Sequence, residues 1–182
     1  MAKLLYSVTM SLDGFIAGPG GDMSWLTEHL GPNPIVGELL QKIGALLVGN
    51  RTFRGDDPHK GDADKEGKFA GGGWSGPQFV LTHNPPDTPV PDVTFVGDLD
   101  TAVKAAKAAA GEKYVNVLGA DVARQCLEAG VLDEILVLIA PVLLGDGVRL
   151  FDHPGGTNVT LERLSLTHAP QATNLWLRVV GM

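Results

Sequence analysis

Apolar residues along the chain fall into short β-branched or leucine-rich runs, and these alternate with stretches of helical spacing. Lys3–Met10 reads as the first strand. Pro34–Ile43 sets Ile35, Leu39, Leu40 and Ile43 at helical spacing, with Pro34 suited to the first turn. Ala45–Val48 is a short, wholly apolar strand, and Gly49-Asn50-Arg51-Thr52-Phe53 leads from it through a glycine into a helix. Gln78–Thr82 and Val93–Val96 are further strands. Asp98 or Asp100 then caps a helix to Ala110 with Leu99, Ala102, Val103 and Ala106 inward. Tyr114–Leu118 is a buried strand that turns through Leu118-Gly119-Ala120 into a helix. That helix has Val122, Cys126 and Ala129 on its apolar face and Gly130 at its stop. Ile135–Ala140 is apolar on both faces, as a central strand is, and runs through Pro141 into a turn at Gly145-Asp146-Gly147. Val159–Thr167 and Asn174–Val180 have no helix between them and read as an antiparallel pair. The order predicts an α/β fold: a mainly parallel central sheet flanked by helices, closed by a C-terminal antiparallel hairpin.

Composition narrows the class. With 182 residues, 44% hydrophobic and 19% charged, the chain suits one globular domain spanning 1–182. A net charge of −7 argues against a nucleic-acid binder, which carries a basic face. Apolar runs are too short to span a bilayer, and Met1-Ala2-Lys3 leads straight into a strand, so the expectation is a soluble cytoplasmic protein. The one cysteine, Cys126, excludes an internal disulfide and belongs to a core helix face. Ile135–Leu144 is apolar enough to serve as a homodimer surface, although a strand buried in the monomer explains it equally well.

Candidate chemistry gathers at three strand ends: Val48-Gly49, Thr82-His83 and Leu118-Gly119. In open α/β sheets such turns lie along the carboxyl edge, where ligands bind. A strand that turns through glycine into a helix aims unpaired N–H groups at one spot, which favours phosphate. Arg51 near a helix start is disfavoured by the macrodipole unless an anion binds there. Gly18–Leu26 is a glycine-rich loop ending in large apolar residues, the composition of a flap, with Met23 and Trp25 as contacts to a ligand or anchors to the core. Asp56–Gly76 reads as a long surface loop. Its Asp56, Asp57, His59, Asp62 and Asp64 lack regular metal-ligand spacing, and no metal is expected.

Three stretches resemble the dihydrofolate-reductase-like superfamily, especially the C-terminal reductase domain of bifunctional riboflavin-biosynthesis enzymes. They are Ser11-Leu12-Asp13-Gly14-Phe15-Ile16-Ala17, Leu47-Val48-Gly49-Asn50-Arg51-Thr52-Phe53, and Ala129–Glu134 running on to Ala140-Pro141-Val142-Leu143-Leu144-Gly145-Asp146-Gly147. The resemblance implies a three-layer sandwich, NADPH as cofactor, and hydride transfer to a small heterocyclic or carbonyl substrate such as 5-amino-6-ribosylaminouracil phosphate. It further implies that Gly49, Asn50, Arg51 and Thr52, with Thr82 and His83, meet the 2′-phosphate side. Gly119, Ala120, Asp121 and Val122 would take the pyrophosphate, Ile16 and Ala17 would lie by the nicotinamide, and Met23 and Trp25 would belong to the flap over that ring.

The departures bear on substrate. Dihydrofolate reductases carry a carboxylate at the start of the helix after the flap, where this chain has Gly31-Pro32-Asn33-Pro34 and Glu38 further along. The riboflavin-pathway reductases carry a glutamate on the strand before the glycine turn, matched here to Val117. The paired glycine of dihydrofolate reductases is reduced to Leu118-Gly119. Candidate acids are then Asp13, Asp22, Glu28 and Glu38, with Asp13 first because it lies between the first strand and Ile16-Ala17. A turn aspartate holding the backbone is its alternative role. The competing functions are a dihydrofolate reductase proper and an NADP-binding module without turnover.

Overall fold

Parallel strands linked by helices account for most of the computed structural model, which describes residues 1–156 and 158–181. The strands are β1 (Leu4–Ser11), β2 (Phe15–Ala17), β3 (Ile43–Gly49), β4 (Gln78–Leu81), β5 (Val93–Val96), β6 (Tyr114–Leu118), β7 (Glu134–Ala140), β8 (Val148–Arg149), β9 (Thr160–Ala169) and β10 (Ala172–Gly181). The helices are α1 (Pro34–Lys42), α2 (Asn50–Phe53), α3 (Leu99–Ala110) and α4 (Ala120–Glu128). An eight-stranded sheet runs β5-β4-β3-β6-β1-β7-β10-β9, parallel as far as β7 and antiparallel beyond it. This is the mainly parallel sheet with a terminal hairpin that the apolar pattern predicts.

Two cores make the three layers. On one face Leu4, Tyr6, Leu47, Val115, Val117 and Ile135 pack against Ala102, Val103 and Ala106 of α3 and Val122, Ala123 and Cys126 of α4. On the other, Leu5, Leu46, Val48, Leu136 and Trp176 pack against Ile35 and Leu39 of α1. Asp98 caps α3, its carboxylate accepting from the Thr101 N–H at 2.8 Å. Burial pushes the Cys126 thiol up to about 12, so it stays a neutral core residue.

Several details differ from the sequence reading. Ala129 is exposed: Gly130 at φ +69° stops the helix, so Leu127 takes the core position and Ala129 falls outside the last turn. Phe15–Ala17, which the apolar pattern assigns to no element, is a short strand paired with Val148–Arg149. That pairing draws the chain so close that a Cβ on Gly147 would sit 2.0 Å from the Ala17 carbonyl oxygen. The flap is not a bare loop, because Ser24–His29 forms a 3₁₀ helix. Ile135–Ala140 lies inside the sheet between β1 and β10, so its apolar character is used within the monomer.

The amino edge of the sheet holds one buried charge. Glu134, 2% exposed, accepts from Lys3 Nζ at 2.9 Å, Tyr114 Oη at 2.8 Å and Trp176 Nε1 at 2.8 Å. Burial pushes its carboxyl up, but these three donors and the Lys3 charge outweigh that and leave it below the usual range. One side chain thus ties β6, β7, β10 and the residue before β1 together.

Candidate active site

At the opposite, carboxyl edge the three glycine and threonine turns come together. β3 pairs with β4 as far as Gly49↔Leu81 and with β6 as far as Val48↔Leu118, so the turns after these strands are neighbours. Gly49 packs beside Val122: a Cβ there would lie 3.5 Å from Val122 Cγ1. Gly119 adopts φ +110°, ψ 135°, and a Cβ on it would lie 2.6 Å from Thr52 Oγ1. The starts of α2 and α4 therefore meet across one small-residue cradle.

Charge at the cradle is arranged asymmetrically. Arg51 is exposed and makes no hydrogen bond or ion pair among the described residues. Asp121 turns back onto its own helix, accepting from Arg124 Nη2 at 2.7 Å and Gln125 Nε2 at 2.8 Å. Those bonds, Arg124 first, hold its carboxyl below the usual range, and the positive charge of Arg51 adds to the effect. Asp121 and Ala120 thus offer a ligand their backbone rather than a side chain.

Asn50 is likewise committed, accepting from Arg54 Nε at 3.0 Å, while Arg54 Nη2 reaches the Asn84 carbonyl at 2.9 Å. Arg54 is a residue the sequence reading passed over; its position four residues after Asn50 on one helix face was the available signal. Thr82 is buried and its Oγ1 accepts from the Asn84 N–H at 3.1 Å, which shapes the turn, and His83 stands exposed beside it.

Beside the cradle the sheet carries a polar stripe on an interior strand. Ser7, Thr9 and Ser11 alternate with core residues along β1, and Ser7 Oγ donates to Asn116 Oδ1 at 2.7 Å. A central strand covered on both faces is apolar on both, so this stripe marks a sheet face that lines a cleft. Leu118 of β6 shares that face, whereas Val117 points into the core beneath α3 and α4. The strand-end position on the cleft side is therefore Leu118, and it too lacks a carboxylate.

The flap spans the same carboxyl edge of the sheet. Its near end is rooted at Ile16 and Ala17 in β2, and its far end at Pro32, whose carbonyl accepts from Gln171 Nε2 at 3.1 Å. Between them the Met23 N–H donates to Asp56 Oδ2 at 3.1 Å and Thr27 Oγ1 donates to the Pro58 carbonyl at 2.8 Å. The acidic loop is otherwise occupied with its own turns: Asp57 accepts from the His59 and Gly67 N–H groups, Asp62 from that of Asp64.

Asp13 takes its place beneath the flap root. Its carboxylate accepts from Ser11 Oγ at 2.5 Å, the Leu144 N–H at 3.1 Å and the Gly145 N–H at 2.7 Å. These bonds, with Ser11 the largest cause, hold it below the usual carboxylate range. A group kept ionised in this way joins two loops, which is the opposite of what a proton donor requires. Asp22 is bonded to Ser24, Glu28 is 79% exposed, and Glu38 lines a separate cleft of about 400 Å³ with Lys42, Thr167, His168 and Trp176. Asn33, at the start of α1, forms a reciprocal amide pair with buried Asn174 at 2.8 and 3.0 Å.

A family model described as RibD C-terminal domain matches residues 2–175, nearly the whole chain. The chain belongs to the RibD C-terminal domain family. Within the curated proteins, the uncharacterized protein YwjB of Bacillus subtilis is 26% identical over 167 residues, covering 91% of this chain and 90% of that one. Among solved structures, a putative riboflavin biosynthesis protein from Shewanella superposes with a TM-score of 0.77 at 24% identity, covering 99% of both chains. The riboflavin biosynthesis reductase of Saccharomyces cerevisiae gives 0.63 at 18% identity, covering 98% of this chain and 90% of that one. At these identities the structural likenesses establish the fold. In this chain the sheet and its flanking helices set the glycine turns on the carboxyl edge. Among the described residues no helix is long and apolar enough to cross a membrane.

Proposed function

We propose that this RibD-type domain, working as one unit over 1–182 in the cytoplasm, is an NADPH-dependent reductase of a small heterocyclic or carbonyl substrate. The observation that carries this is the shared cradle of Gly49–Thr52 and Gly119–Val122 with unpaired Arg51 on its rim. The residues present fit a dinucleotide: Gly119 leaves open the space a Cβ would fill, α4 turns its first N–H groups toward the cradle, and Arg51 supplies a cation. Arg51, Asn50, Thr82 and His83 would hold the 2′-phosphate side, and the backbone of Gly119–Val122 the pyrophosphate. Ile16 and Ala17 would lie against the nicotinamide. When bound, the cofactor supplies a hydride.

The rest is done by the chain. The flap, with Met23 and Trp25, excludes water from the cleft floor of Thr9 and Leu118. Asp13 acts as a positioning residue, welding the β1–β2 turn to the loop after β7 so that Ile16 and Ala17 stay in register. Among the described residues no free carboxylate stands at the start of α1, where Asn33 is paired with Asn174, so a substrate carrying a pterin-type amidine edge finds no partner there. That favours 5-amino-6-ribosylaminouracil phosphate or a related uracil over dihydrofolate.

The deciding experiment is a fluorescence titration with NADPH and NADH on wild type and Arg51→Ala. Wild type is expected to prefer NADPH. The variant is expected to lose about tenfold in NADPH affinity, the size of one charge-assisted contact, with NADH little changed. Equal loss of both nucleotides would detach Arg51 from the 2′-phosphate, and no binding of either would end the reductase reading. NADPH binding without oxidation across uracils, pteridines and aldehydes would leave a binding module.

Homodimer formation belongs to the same proposal, but on a different surface from Ile135–Leu144. Leu161, Leu164 and Leu166 of the edge strand β9 are 41%, 37% and 58% exposed. Such a leucine face packs on its own copy about a two-fold axis. Sedimentation is expected to show a dimer, and Leu164→Glu with Leu166→Glu a folded monomer. A wild-type monomer at micromolar concentration would remove the dimer.

A further inference from the structure

Among the described residues, three side-chain nitrogens are buried without a hydrogen-bond partner: Trp25 Nε1, His29 Nε2 and Asn116 Nδ2. Asn116 is wholly enclosed within the sheet. The other two share the 3₁₀ helix of the flap, four residues apart, with ring centroids 6.0 Å from each other. A buried donor left unpaired gives up its hydration with nothing in return, and folded chains keep few of them. Two on one short segment call for a partner that arrives from outside the chain.

The neighbouring groups do not supply it. The Glu28 carboxylate is 3.7 Å from His29 Nε2, beyond hydrogen-bond reach, and 79% exposed. Asp22 is taken up by Ser24, and on the loop to which the flap is tied Asp56 is taken up by the Met23 N–H and by Lys60 at 3.5 Å. At the far end of the flap Asn33 is closed on itself with Asn174. Among the described residues, Trp25 Nε1 and His29 Nε2 are thus the buried side-chain nitrogens of the flap left without a partner. The segment holding them is tied to Asp56 and Pro58 beyond α2 and to Gln171 at the hairpin turn, and so spans the carboxyl edge of the sheet, the edge at which β1 and its polar positions end.

We propose that Trp25 Nε1–H and His29 Nε2–H are a paired donor site for two acceptor atoms of the substrate, the carbonyl oxygens of a pyrimidinedione. This rests on the reductase reading and deepens it. His29 donates from Nε2 as the Nε2–H tautomer or as the protonated ring. Recognition then comes from the flap, by donors, in place of a helix carboxylate that accepts. Acceptor-edged rings are selected and donor-edged amidines are not.

The test follows the indole N–H itself. The Trp25 Nε1 resonance is assigned by its loss in Trp25→Phe, and the NADPH-loaded protein is titrated with 5-amino-6-ribosylaminouracil phosphate. The resonance is expected to move downfield as the new bond forms. At saturating NADPH, Trp25→Phe and His29→Phe are each expected to weaken the uracil about tenfold. His29→Gln, which restores an N–H, should recover most of the loss. Because each Phe variant removes an unpaired buried donor, melting temperature should hold or rise.

An NADPH-loaded protein whose Trp25 resonance stays put on adding the uracil overturns the donor pair while leaving the reductase reading intact. So does a fall of several degrees in melting temperature with uracil affinity unmoved, which would make both rings structural. Failure of NADPH itself to bind ends the reductase reading, and the donor pair with it.

Discussion

A Glu134→Ala variant is expected to be about 3 kcal/mol less stable than wild type, the scale on which a buried charge set loses one member. For a chain of this size that is a fall of about 6–12 °C in melting temperature. The cause is specific: the Tyr114 hydroxyl, Trp176 indole N–H and Lys3 ammonium all donate to one carboxylate, and alanine leaves them without an acceptor. Glu134→Gln should cost less, since its one oxygen can take the place of Oε2, which accepts from both Tyr114 and Trp176, yet its amide N–H groups then face the Lys3 ammonium, which can only donate. The pH dependence has a fixed sign. Glu134 is held below its ordinary value near 4.5, so its stabilisation is complete above that value and is lost as pH falls through the lower folded one. Calorimetry from pH 7 to 3 should therefore show wild type and Glu134→Ala converging in acid. Parallel curves would mean that the carboxylate is not the group responsible.

Gly119→Ala is expected to weaken NADPH by about a hundredfold, the largest effect on binding of any single change considered. Two penalties coincide there. The backbone at φ +110° strains any L side chain, at roughly 1–3 kcal/mol. The new methyl would also lie 2.6 Å from Thr52 Oγ1, so it takes up space in the cradle and forces the Thr52 hydroxyl to turn aside. Since this cradle sits at the sheet edge and not in a core, the fold should survive, and circular dichroism serves as the control. A titration showing near wild-type affinity would mean that the pyrophosphate does not approach Gly119.

The sheet was legible because its strands obey simple rules. Val93–Val96 and Tyr114–Leu118 end where the apolar runs end, and β7 reads as an interior strand because it is apolar on both faces. The glycine turns were legible for the same reason, each following directly on such a run. What escaped was made by partners distant in sequence. Phe15–Ala17 becomes a strand only because Val148–Arg149 comes beside it, and three residues carry too short a pattern to announce that. Leu118 and Val117 differ only in which face they occupy, and a one-residue error exchanges the faces. Asp13 is identified by the donors that reach it from Leu144 and Gly145, more than a hundred residues away. His29 escaped because what marks it is a missing bond, which no sequence pattern displays.

The latch between Met23 and Asp56 has a thermodynamic corollary. Asp56 is the third residue after α2, and α2 carries Arg51, so under the proposed function the cover over one ligand hangs from the holder of the other. Whatever steadies that helix steadies the cover, and the relation runs equally in both directions. Under the proposed function, occupancy of the nucleotide groove and occupancy of the cleft would then be linked, each ligand changing the affinity for the other by the same factor.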